Sequence, residues 1–228
     1  ICDDNNDGVA SFTLTDANAQ IINGAPGVFV NYYETQALAN TGDITTALVS
    51  PYTNIISNPQ TVVARLENIA EGCFDTVPLE LIVFDTPVFN APIPDFKLCD
   101  TTTTTTFDLT TWDDQVTATP AGLTITYYET PGDAQTPTNE INPANAYTNT
   151  STPQTIFVRL ENADGCFAIS QFNLIVDLLP TYTTPFIAPL CDYDGVLDDS
   201  TEFDLSAVTT VTTSDDPAFF VSYHDNFP

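Results

Sequence analysis

The heptapeptide at 61–67, Thr-Val-Val-Ala-Arg-Leu-Glu, has a close copy, Thr-Ile-Phe-Val-Arg-Leu-Glu, at 155–161. Both copies are rich in β-branched residues and alternate in part between apolar and polar positions, which is typical of a strand with one buried face. The second copy is predicted to turn its alternate apolar residues inward and Arg159 and Glu161 outward.

The sequence on either side of this strand also repeats, at intervals of about 95 residues. Val-Asn-Tyr-Tyr-Glu at 30–34 returns as related segments at 125–129 and 221–225. The same order holds for a Cys-Asp pair (at Cys2, Cys99 and Cys191), a Phe residue of a Phe-x-Leu motif (Phe12, Phe107 and Phe203) and a Gly-Cys-Phe motif (at 72–74 and 165–167). Such self-similarity indicates a tandem array of one structural unit. The predicted domains are repeat 1 at 1–90, repeat 2 at 91–186 and an incomplete repeat 3 at 187–228.

Short strand-like segments separated by Asn, Gly, Pro and Thr clusters favour an all-β fold of tandem Ig-like β-sandwich domains. The segment 108–116 is predicted to form one helical turn, and no long amphipathic helix is expected. Two Pro-rich segments, 86–96 and 180–189, are interpreted as stiff linkers. They are expected to hold successive domains in a rod-like array.

The charge balance excludes several classes of partner. Three basic residues, Arg65, Lys97 and Arg159, oppose 31 acidic ones, for a net charge of −28. Nucleic acid and anionic membrane surfaces require clusters of Lys or Arg, so neither is expected as a partner. No apolar run is long enough to span a bilayer. An acidic surface attracts cations, and Ca²⁺ prefers oxygen ligands, although solubility alone would also explain the acidity.

The N-terminal residues lack the basic and apolar regions of a signal peptide, and the sequence contains no Met. The chain is therefore interpreted as an internal or processed segment of a longer protein.

Each full repeat contains one Cys at its start and one in its Gly-Cys-Phe motif. The separations are similar, 71 positions from Cys2 to Cys73 and 67 from Cys99 to Cys166. We therefore predict one disulfide within each repeat, Cys2–Cys73 and Cys99–Cys166, with Cys191 unpaired. Disulfides in equivalent places indicate an oxidising compartment. A metal site at these cysteines is disfavoured, because there is no C-x-x-C pair and only one His.

The residues after Cys2 fit the calcium-loop pattern D-x-[DN]-x-[DN]-G. Oxygen ligands from Asp3, Asn5 and Asp7 would converge, because Gly8 permits a sharp turn of the backbone. The twelfth position of the loop is Leu14 rather than Glu, so the loop is not an EF-hand. The alternative is an Asx-rich turn without an ion. We predict a structural Ca²⁺ in this loop.

The other two repeats differ at this position. Repeat 2 has a run of Thr at 101–106 and has lost the ligands, so no calcium is expected there. Repeat 3 offers Asp192, Asp194 and Asp198 in a longer loop, and these residues are a second candidate site for Ca²⁺.

His224 and Trp112 are the residues that most invite a catalytic or binding role. His224 aligns with Tyr33 and Tyr128 on the outward face of a strand, and a catalytic group would not be replaced by Tyr in sister domains. Trp112 could serve as a platform for a sugar ring, but its equivalent in repeat 1 is Ala17, so core or local packing is preferred.

Each full repeat has an Arg as nearly its only cation, so an ion pair is expected. The candidate partners are Glu34 and Glu67 for Arg65, and Glu129 and Glu161 for Arg159. No G-x-S-x-G, H-E-x-x-H or phosphate-binding Gly loop is present, so the chain is not expected to be an enzyme.

The combined order of these motifs resembles the tandem repeats of giant surface proteins from Flavobacteria and related Bacteroidota. The elements that carry the resemblance are CDDNNDG at 2–8, Phe-x-Leu at 12–14, VNYYET at 30–35, PYTN at 51–54, PQTVVARLEN at 59–68 and GCF at 72–74. The resemblance implies export by the type IX secretion system and anchoring at the cell surface. It also implies a role as an adhesin, in some members a gliding adhesin.

The same bacteria modify Ser or Thr in Asp-(Ser/Thr) followed by a residue such as Val or Thr. The resemblance therefore implies O-glycans on Thr76, Thr101 and Ser200. Chance occurrence is the alternative, because Thr and Asp are abundant in this sequence.

The leading interpretation is a structural, non-catalytic repeat region of an extracellular bacterial surface adhesin or fibre, stiffened by disulfides and Ca²⁺. The alternatives are polysaccharide-binding modules of a secreted protein and an accessory region of a large secreted enzyme. The expected partners are neighbouring repeats of the same chain, with surface glycans or other cells as further candidates. The chain is expected to be exported to the cell surface, without direct insertion into the membrane.

Overall fold

A computed structural model describes residues 1–68, 70–180, 205 and 221–224. Its strands are β1 (Cys2–Asp3), β2 (Ser11–Phe12), β3 (Val28–Tyr33), β4 (Tyr52–Thr53), β5 (Gln60–Asn68), β6 (Phe74–Leu81), β7 (Phe84–Asp85), β8 (Phe96–Asp100), β9 (Thr106–Phe107), β10 (Thr124–Tyr128), β11 (Tyr147–Thr148), β12 (Gln154–Glu161) and β13 (Phe167–Leu178). The predicted all-β class is confirmed.

The helices are short. The α-helices are α1 (Asn18–Ile22), α2 (Gln36–Thr41), α3 (Asp113–Val116) and α4 (Pro131–Gln135), and turns of 3₁₀ helix lie at Leu14–Ala17, Ile44–Thr46, Leu109–Trp112 and Ala144–Ala146. The helical turn predicted at 108–116 is therefore confirmed. Across the described part of the chain, no helix has the length and apolar character needed to cross a bilayer.

The two full repeats build equivalent sheets. In repeat 1, β5 lies between β3 and β6 and is antiparallel to both. In repeat 2 the strand order is β10-β12-β13-β8, with β10 antiparallel to β12 and β8 parallel to β13. The register is also equivalent, since Tyr32 lies opposite Ala64 and Tyr127 lies opposite Val158. Two-stranded pairs, β1 with β7, β2 with β4 and β9 with β11, complete the pairing.

The chain divides into two compact units. Of the residues that the structure describes, the first contains those of 1–94, 108–147 and 155–172, and the second contains those of 95–107, 148–154 and from 173 onward. In the second unit, Phe96 packs edge-to-face on Phe107 with ring centroids 5.1 Å apart. The units do not coincide with the sequence repeats, and the limits predicted for the three domains stay predictions.

The inward face of the central strand forms the core of each repeat. In repeat 1, Tyr32, Val62 and Ala64 pack with residues from the neighbouring strands and the first 3₁₀ turn. In repeat 2, the alternate apolar residues of β12 are fully buried; these are Ile156, Val158 and Leu160. The period of two in the sequence therefore identified the inward face correctly.

The opposite face of the same strands is also covered, which the alternation did not indicate. Tyr33, Ala39 and Val63 form a second buried cluster, because α2 lies over this face. Arg159 is only 6% exposed, so the expectation that it points outward is wrong. Tyr128 is likewise buried, so this position is not on an exposed face in the full repeats.

The helices that cover this face begin at the Thr that follows each Tyr-Tyr-Glu motif. The hydroxyl of Thr35 accepts a hydrogen bond from the backbone N–H of Leu38 (3.3 Å), and that of Thr130 accepts one from Asp133 (3.1 Å). A Thr in this position satisfies one of the unpaired N–H groups of the first turn. The motif therefore encodes both a buried strand and the start of its covering helix.

Candidate functional site: an inter-repeat junction

A disulfide joins the two repeats. Cys2 is bonded to Cys166 with an S–S distance of 2.04 Å and a Cα–Cα distance of 5.5 Å, whereas Cys73 and Cys99 are free and exposed. The predicted pairs Cys2–Cys73 and Cys99–Cys166 are therefore wrong. Cys2 lies opposite Phe84 in the parallel pairing of β1 with β7. It therefore stands beside the last strand of its repeat, where the chain leaves for repeat 2.

Hydrogen bonds accompany the disulfide across the junction. The side-chain amide of Asn162 donates to the carbonyl oxygen of Asp85 (2.8 Å), and its Oδ1 accepts from the backbone N–H of Cys166 (2.9 Å). Asn162 is the last residue of the Arg-Leu-Glu-Asn motif. Like its equivalent, Asn68, it accepts from N–H groups of its own turn, and it adds the bond from its amide to Asp85. This motif therefore supplies a contact to the preceding repeat.

The Pro-rich segment between the repeats is held along α3. The backbone N–H of Asn90 donates to the carbonyl of Val116, and its side-chain amide donates to Gln115, both at 2.9 Å. The hydroxyl of Thr117 donates to the carbonyl of Val88 (2.9 Å). The two bonds from Asn90 use carbonyls that the end of a short helix leaves without partners, whereas the bond from Thr117 uses a carbonyl of the segment itself. They anchor the segment to repeat 2.

Trp112 also belongs to this junction. Its indole N–H donates to the carbonyl oxygen of Pro94 at 3.1 Å. The residue therefore takes part in local packing of the Pro-rich segment, in agreement with the preferred interpretation of the sequence.

Beside the Gly-Cys-Phe motif of repeat 1 lies a buried arginine. Nε of Arg65 is 2.8 Å from Oε2 of Glu67, and its guanidinium carbon is 3.4 Å from the ring centroid of Phe74. Nη1 donates to the carbonyl of Ala39 in α2 at 2.9 Å. One side chain thus ties together the central strand, the motif and the covering helix.

Repeat 2 has the same arrangement. Arg159 forms two hydrogen bonds to Oε2 of Glu161, at 3.0 and 2.8 Å, and stacks 3.4 Å from the ring centroid of Phe167. Nη1 donates to the carbonyl of Ala134 at 3.1 Å. Of the partners that the sequence left open, the glutamate two residues later on the same strand is the one observed in both repeats.

A buried asparagine in each repeat has a structural role that the sequence did not reveal. Asn54, 2% exposed, accepts from the N–H of Ala10 (2.7 Å) and donates to the carbonyls of Gly8 (2.8 Å) and Ile56 (3.0 Å). In repeat 2, Asn149 makes the corresponding three bonds. The shared Tyr-Thr-Asn motif was the available signal.

Replacing Asn54 by Ala is expected to lower the free energy of unfolding by about 2–4 kcal/mol. The substitution leaves buried backbone groups without hydrogen-bond partners, and each such group costs roughly 1–3 kcal/mol. Asn149→Ala is expected to have a similar effect. Urea denaturation followed by circular dichroism measures both. Asn40→Ala, on the exposed side of α2, is the control, and an equal loss there would contradict the assigned role.

The residues of repeat 1 that are predicted to bind calcium lie together at the end of β1 and in the loop that follows it. Asp3 is 3% exposed, and its two carboxylate oxygens accept from the backbone N–H groups of Asn5 (3.1 Å) and Gly8 (2.7 Å). The side-chain amide of Asn5 donates to Asp7 at 2.9 Å. Burial acts to raise the pKa of Asp3, but the backbone N–H groups, that of Gly8 foremost, outweigh it and hold the pKa below its ordinary value.

These contacts are those of an Asx-type turn, the alternative that the sequence left open. Within the part of the chain that the structure describes, no three His, Cys, Asp or Glu side chains are grouped as a metal site. In the proposed loop Asn5 would contribute an amide oxygen beside the carboxylates of Asp3 and Asp7, and the calcium site stays a prediction. Asp192, Asp194 and Asp198 lie outside the described residues.

The predicted glycosylation sites differ in exposure. Thr101 is exposed, whereas Thr76 is half-buried and its hydroxyl accepts from the side-chain amide of Gln36 at 3.0 Å. Ser200 lies outside the described residues. His224 is exposed, and its Nε2 lies 3.1 Å from the hydroxyl of Ser222.

A half-buried carboxyl distinguishes repeat 2 from repeat 1. The hydroxyl of Tyr127 donates to Asp113 (2.5 Å), whereas that of Tyr32 donates to Asn18 (2.6 Å). Burial raises the pKa of Asp113, although the bond from Tyr127 works in the other direction. The folded state therefore binds the proton of Asp113 more tightly than the unfolded state does.

It follows that ionised Asp113 opposes folding at neutral pH, and that this effect disappears once the pH falls below the ordinary pKa of Asp. Asp113→Asn, which reproduces repeat 1, is expected to raise the free energy of unfolding at pH 7 and to leave it unchanged in acid. Urea denaturation at several pH values measures this. The control is Asp114→Asn, which removes the same charge at an exposed neighbour; an equal gain there would contradict the prediction.

Comparison with known proteins gives one family match. A family model described as the Flavobacterium inter-domain disulphide bond domain matches twice, over 1–87 and 95–180. No curated protein sequence matches the chain.

Three of the similar solved structures are those of cadherin or immunoglobulin domains. Human mucin-like protocadherin EC1-2 is 13% identical, with 68% of this chain and 86% of that chain covered and a TM-score of 0.26. Titin domains I67–I69 are 9% identical, with 67% and 56% covered and a TM-score of 0.28. Sidekick-1 immunoglobulin domains 1–5 are 14% identical, with 67% and 33% covered and a TM-score of 0.24.

Proposed function

Because this chain belongs to the Flavobacterium inter-domain disulphide bond domain family, we propose that it is a non-catalytic, load-carrying stretch of a bacterial surface adhesin or fibre. The family and the disulfide indicate an exported, structural, multi-domain protein. The finer proposal is that the protein is exported by the type IX system, is held at the cell surface, and contacts surface glycans or other cells.

The single observation that carries this proposal is the bond between Cys2 and Cys166. It connects residues 164 positions apart. A force applied to the two ends of the chain would pass from Cys2 directly to Cys166. The intervening residues, which include all of repeat 1, would be bypassed by a covalent link. Such an arrangement suits a protein that must keep its length under tension.

Single-molecule force spectroscopy tests this function. When the oxidised chain is pulled from its ends, the residues between Cys2 and Cys166 are expected to contribute no extension. After reduction, the fully extended chain is expected to lengthen by about 550 Å, since each residue spans about 3.3–3.6 Å. The matched control is Cys73→Ser, which should behave like the native chain. Full extension of the oxidised chain would contradict the proposal.

Calcium belongs to the same proposal as a structural ion in the loop of Asp3, Asn5 and Asp7. The support is the adjacency of these oxygen ligands and the strongly acidic chain. Addition of Ca²⁺ after EDTA treatment is expected to raise the Tm of the native chain and not that of Asp7→Asn. An equal rise in both would show nonspecific screening.

O-glycans on Thr76, Thr101 and Ser200 are tested by mass spectrometry of glycopeptides from the native host; bare peptides at all three positions would reject them.

The alternative of polysaccharide binding gains no support from the aromatic side chains that suggested it. Tyr33 and Tyr128 are buried, and the indole N–H of Trp112 is bonded to Pro94. A structural role therefore fits these residues better.

A further inference from the structure

In repeat 2 the surface at α3 binds the Pro-rich segment, and repeat 1 has an equivalent surface at α1. The equivalent tyrosine hydrogen bonds align α1 with α3. In this alignment Gln20 and Ile21 correspond to Gln115 and Val116. The two surfaces can therefore be compared residue by residue.

The comparison shows one surface covered and the other open. In repeat 2, Asn90 donates to the carbonyls of Gln115 and Val116, and Val116 is fully buried. In repeat 1, no donor from the described residues reaches the carbonyl of Gln20 or Ile21, and Ile21 is only partly buried. Repeat 1 therefore presents unused acceptors where repeat 2 binds a segment.

A groove of about 460 Å³ lies between α1 and β6, and Gln20 and Ile21 are among the residues that line it. Its lining combines apolar side chains, among them Ile21, Val77 and Leu79, with polar ones that include the carboxylate of Asp75. Ala17 stands in the position of Trp112, whose side chain in repeat 2 reaches the segment at Pro94. The smaller residue leaves this end of the groove open.

We propose that this groove of repeat 1 binds the Pro-rich segment of a further copy of the repeat, as α3 binds Val88–Pro94. The inference rests on the proposed function, in which the repeats are joined to one another to carry load. The occupant is identified by three requirements: an amide donor for two carbonyls, an extended apolar backbone, and no negative charge to be repelled by an acidic protein. The segment 88–94 (Val-Phe-Asn-Ala-Pro-Ile-Pro) meets all three.

A second observation points to the same occupant. Cys73 is free and exposed, and it holds the place in repeat 1 that Cys166 holds in repeat 2. Suppose that a further copy contacts repeat 1 in the way that repeat 1 contacts repeat 2. The first cysteine of that copy would then lie next to Cys73, as Cys2 lies next to Cys166. The groove and the thiol are thus two parts of one docking surface.

The test uses the full chain and a peptide with the sequence of residues 86–94, which contains no cysteine. Titration of the peptide into ¹⁵N-labelled chain is expected to shift the amide signals of 17–22 and 77–79 saturably. The signals of 112–117 should not move, because their site is already filled. Binding in the millimolar range is expected, because the free peptide has lost its covalent connection to a repeat.

Two variants sharpen the result. A peptide with Asn90→Ala keeps the backbone N–H donor and loses the side-chain amide, so it is expected to bind roughly two- to tenfold more weakly, the factor that one net hydrogen bond supplies. Chain variant Ala17→Trp, which restores the residue of repeat 2, is expected to bind the native peptide tighter by a similar factor. Absence of saturable shifts in both native chain and Ala17→Trp, or equal binding of the two peptides, overturns the proposal. Neither outcome changes the result expected in the force experiment. The peptide titration therefore tests binding in the groove, and the force experiment separately tests the proposed function.

Discussion

Replacing Cys166 by Ser is expected to lower the free energy of unfolding by about 5 kcal/mol, whereas replacing Cys73 by Ser should leave it nearly unchanged. The disulfide of Cys166 closes a loop across 164 positions, and the chain-entropy model assigns about 5 kcal/mol to a loop of that length. Cys73 stands at the equivalent place in repeat 1 but is free and exposed. Urea denaturation without reductant measures both variants.

Reduction supplies an independent check of this pairing. A reducing agent should bring the native chain to the stability of Cys166→Ser and should not destabilise that variant further. Cys2→Ser is expected to match Cys166→Ser, and the double variant should lose no more than either single one, because both remove the same bond. A loss on Cys73→Ser as large as that on Cys166→Ser would refute the assignment.

The failure of the cysteine prediction has a geometric cause. In a tandem array, the first Cys of a repeat can pair with the second Cys of its own repeat or of the next, and the periodic spacing is satisfied by both connectivities. Sequence alone does not fix connectivity. The connectivity is decided by the parallel pairing of Cys2 in β1 with Phe84 in β7. This pairing places the first residues of repeat 1 beside its last strand, next to the start of repeat 2. Pairing between such distant segments leaves no local pattern.

The strands themselves were predictable, because alternation at 61–67 and 155–161 reports a pleated, half-buried surface. Alternation shows which residues share a face, but it does not show whether the second face is covered. The helices that cover it, α2 and α4, have six and five residues, too few for a helical period to be visible. The burial of Tyr33 and Arg159 therefore escaped detection, while the fold class did not.

The arginine cluster gives a second large expected effect. Arg65→Met and Arg159→Met are each expected to lower the free energy of unfolding by about 2–4 kcal/mol. Removing one partner of a buried ion pair costs roughly 3–5 kcal/mol, and the partial exposure of Glu67 and Glu161, with 26% and 37% of their side chains accessible, reduces that cost. Thermal and urea denaturation provide the measurement.

Two further substitutions separate the causes. Lys97→Met removes the third cation of the sequence, which is exposed. It therefore measures how much stability is lost when an acidic chain gains one net negative charge. If Lys97→Met lowered the free energy of unfolding as much as Arg159→Met does, the effect of the arginine would be explained by net charge alone. Arg159→Lys keeps the charge but not the planar fork that bonds Glu161 and stacks on Phe167, so it should recover only part of the loss. Since Phe167 directly follows Cys166, full recovery by Lys would mean that the stacking does not help to hold the disulfide strand in place.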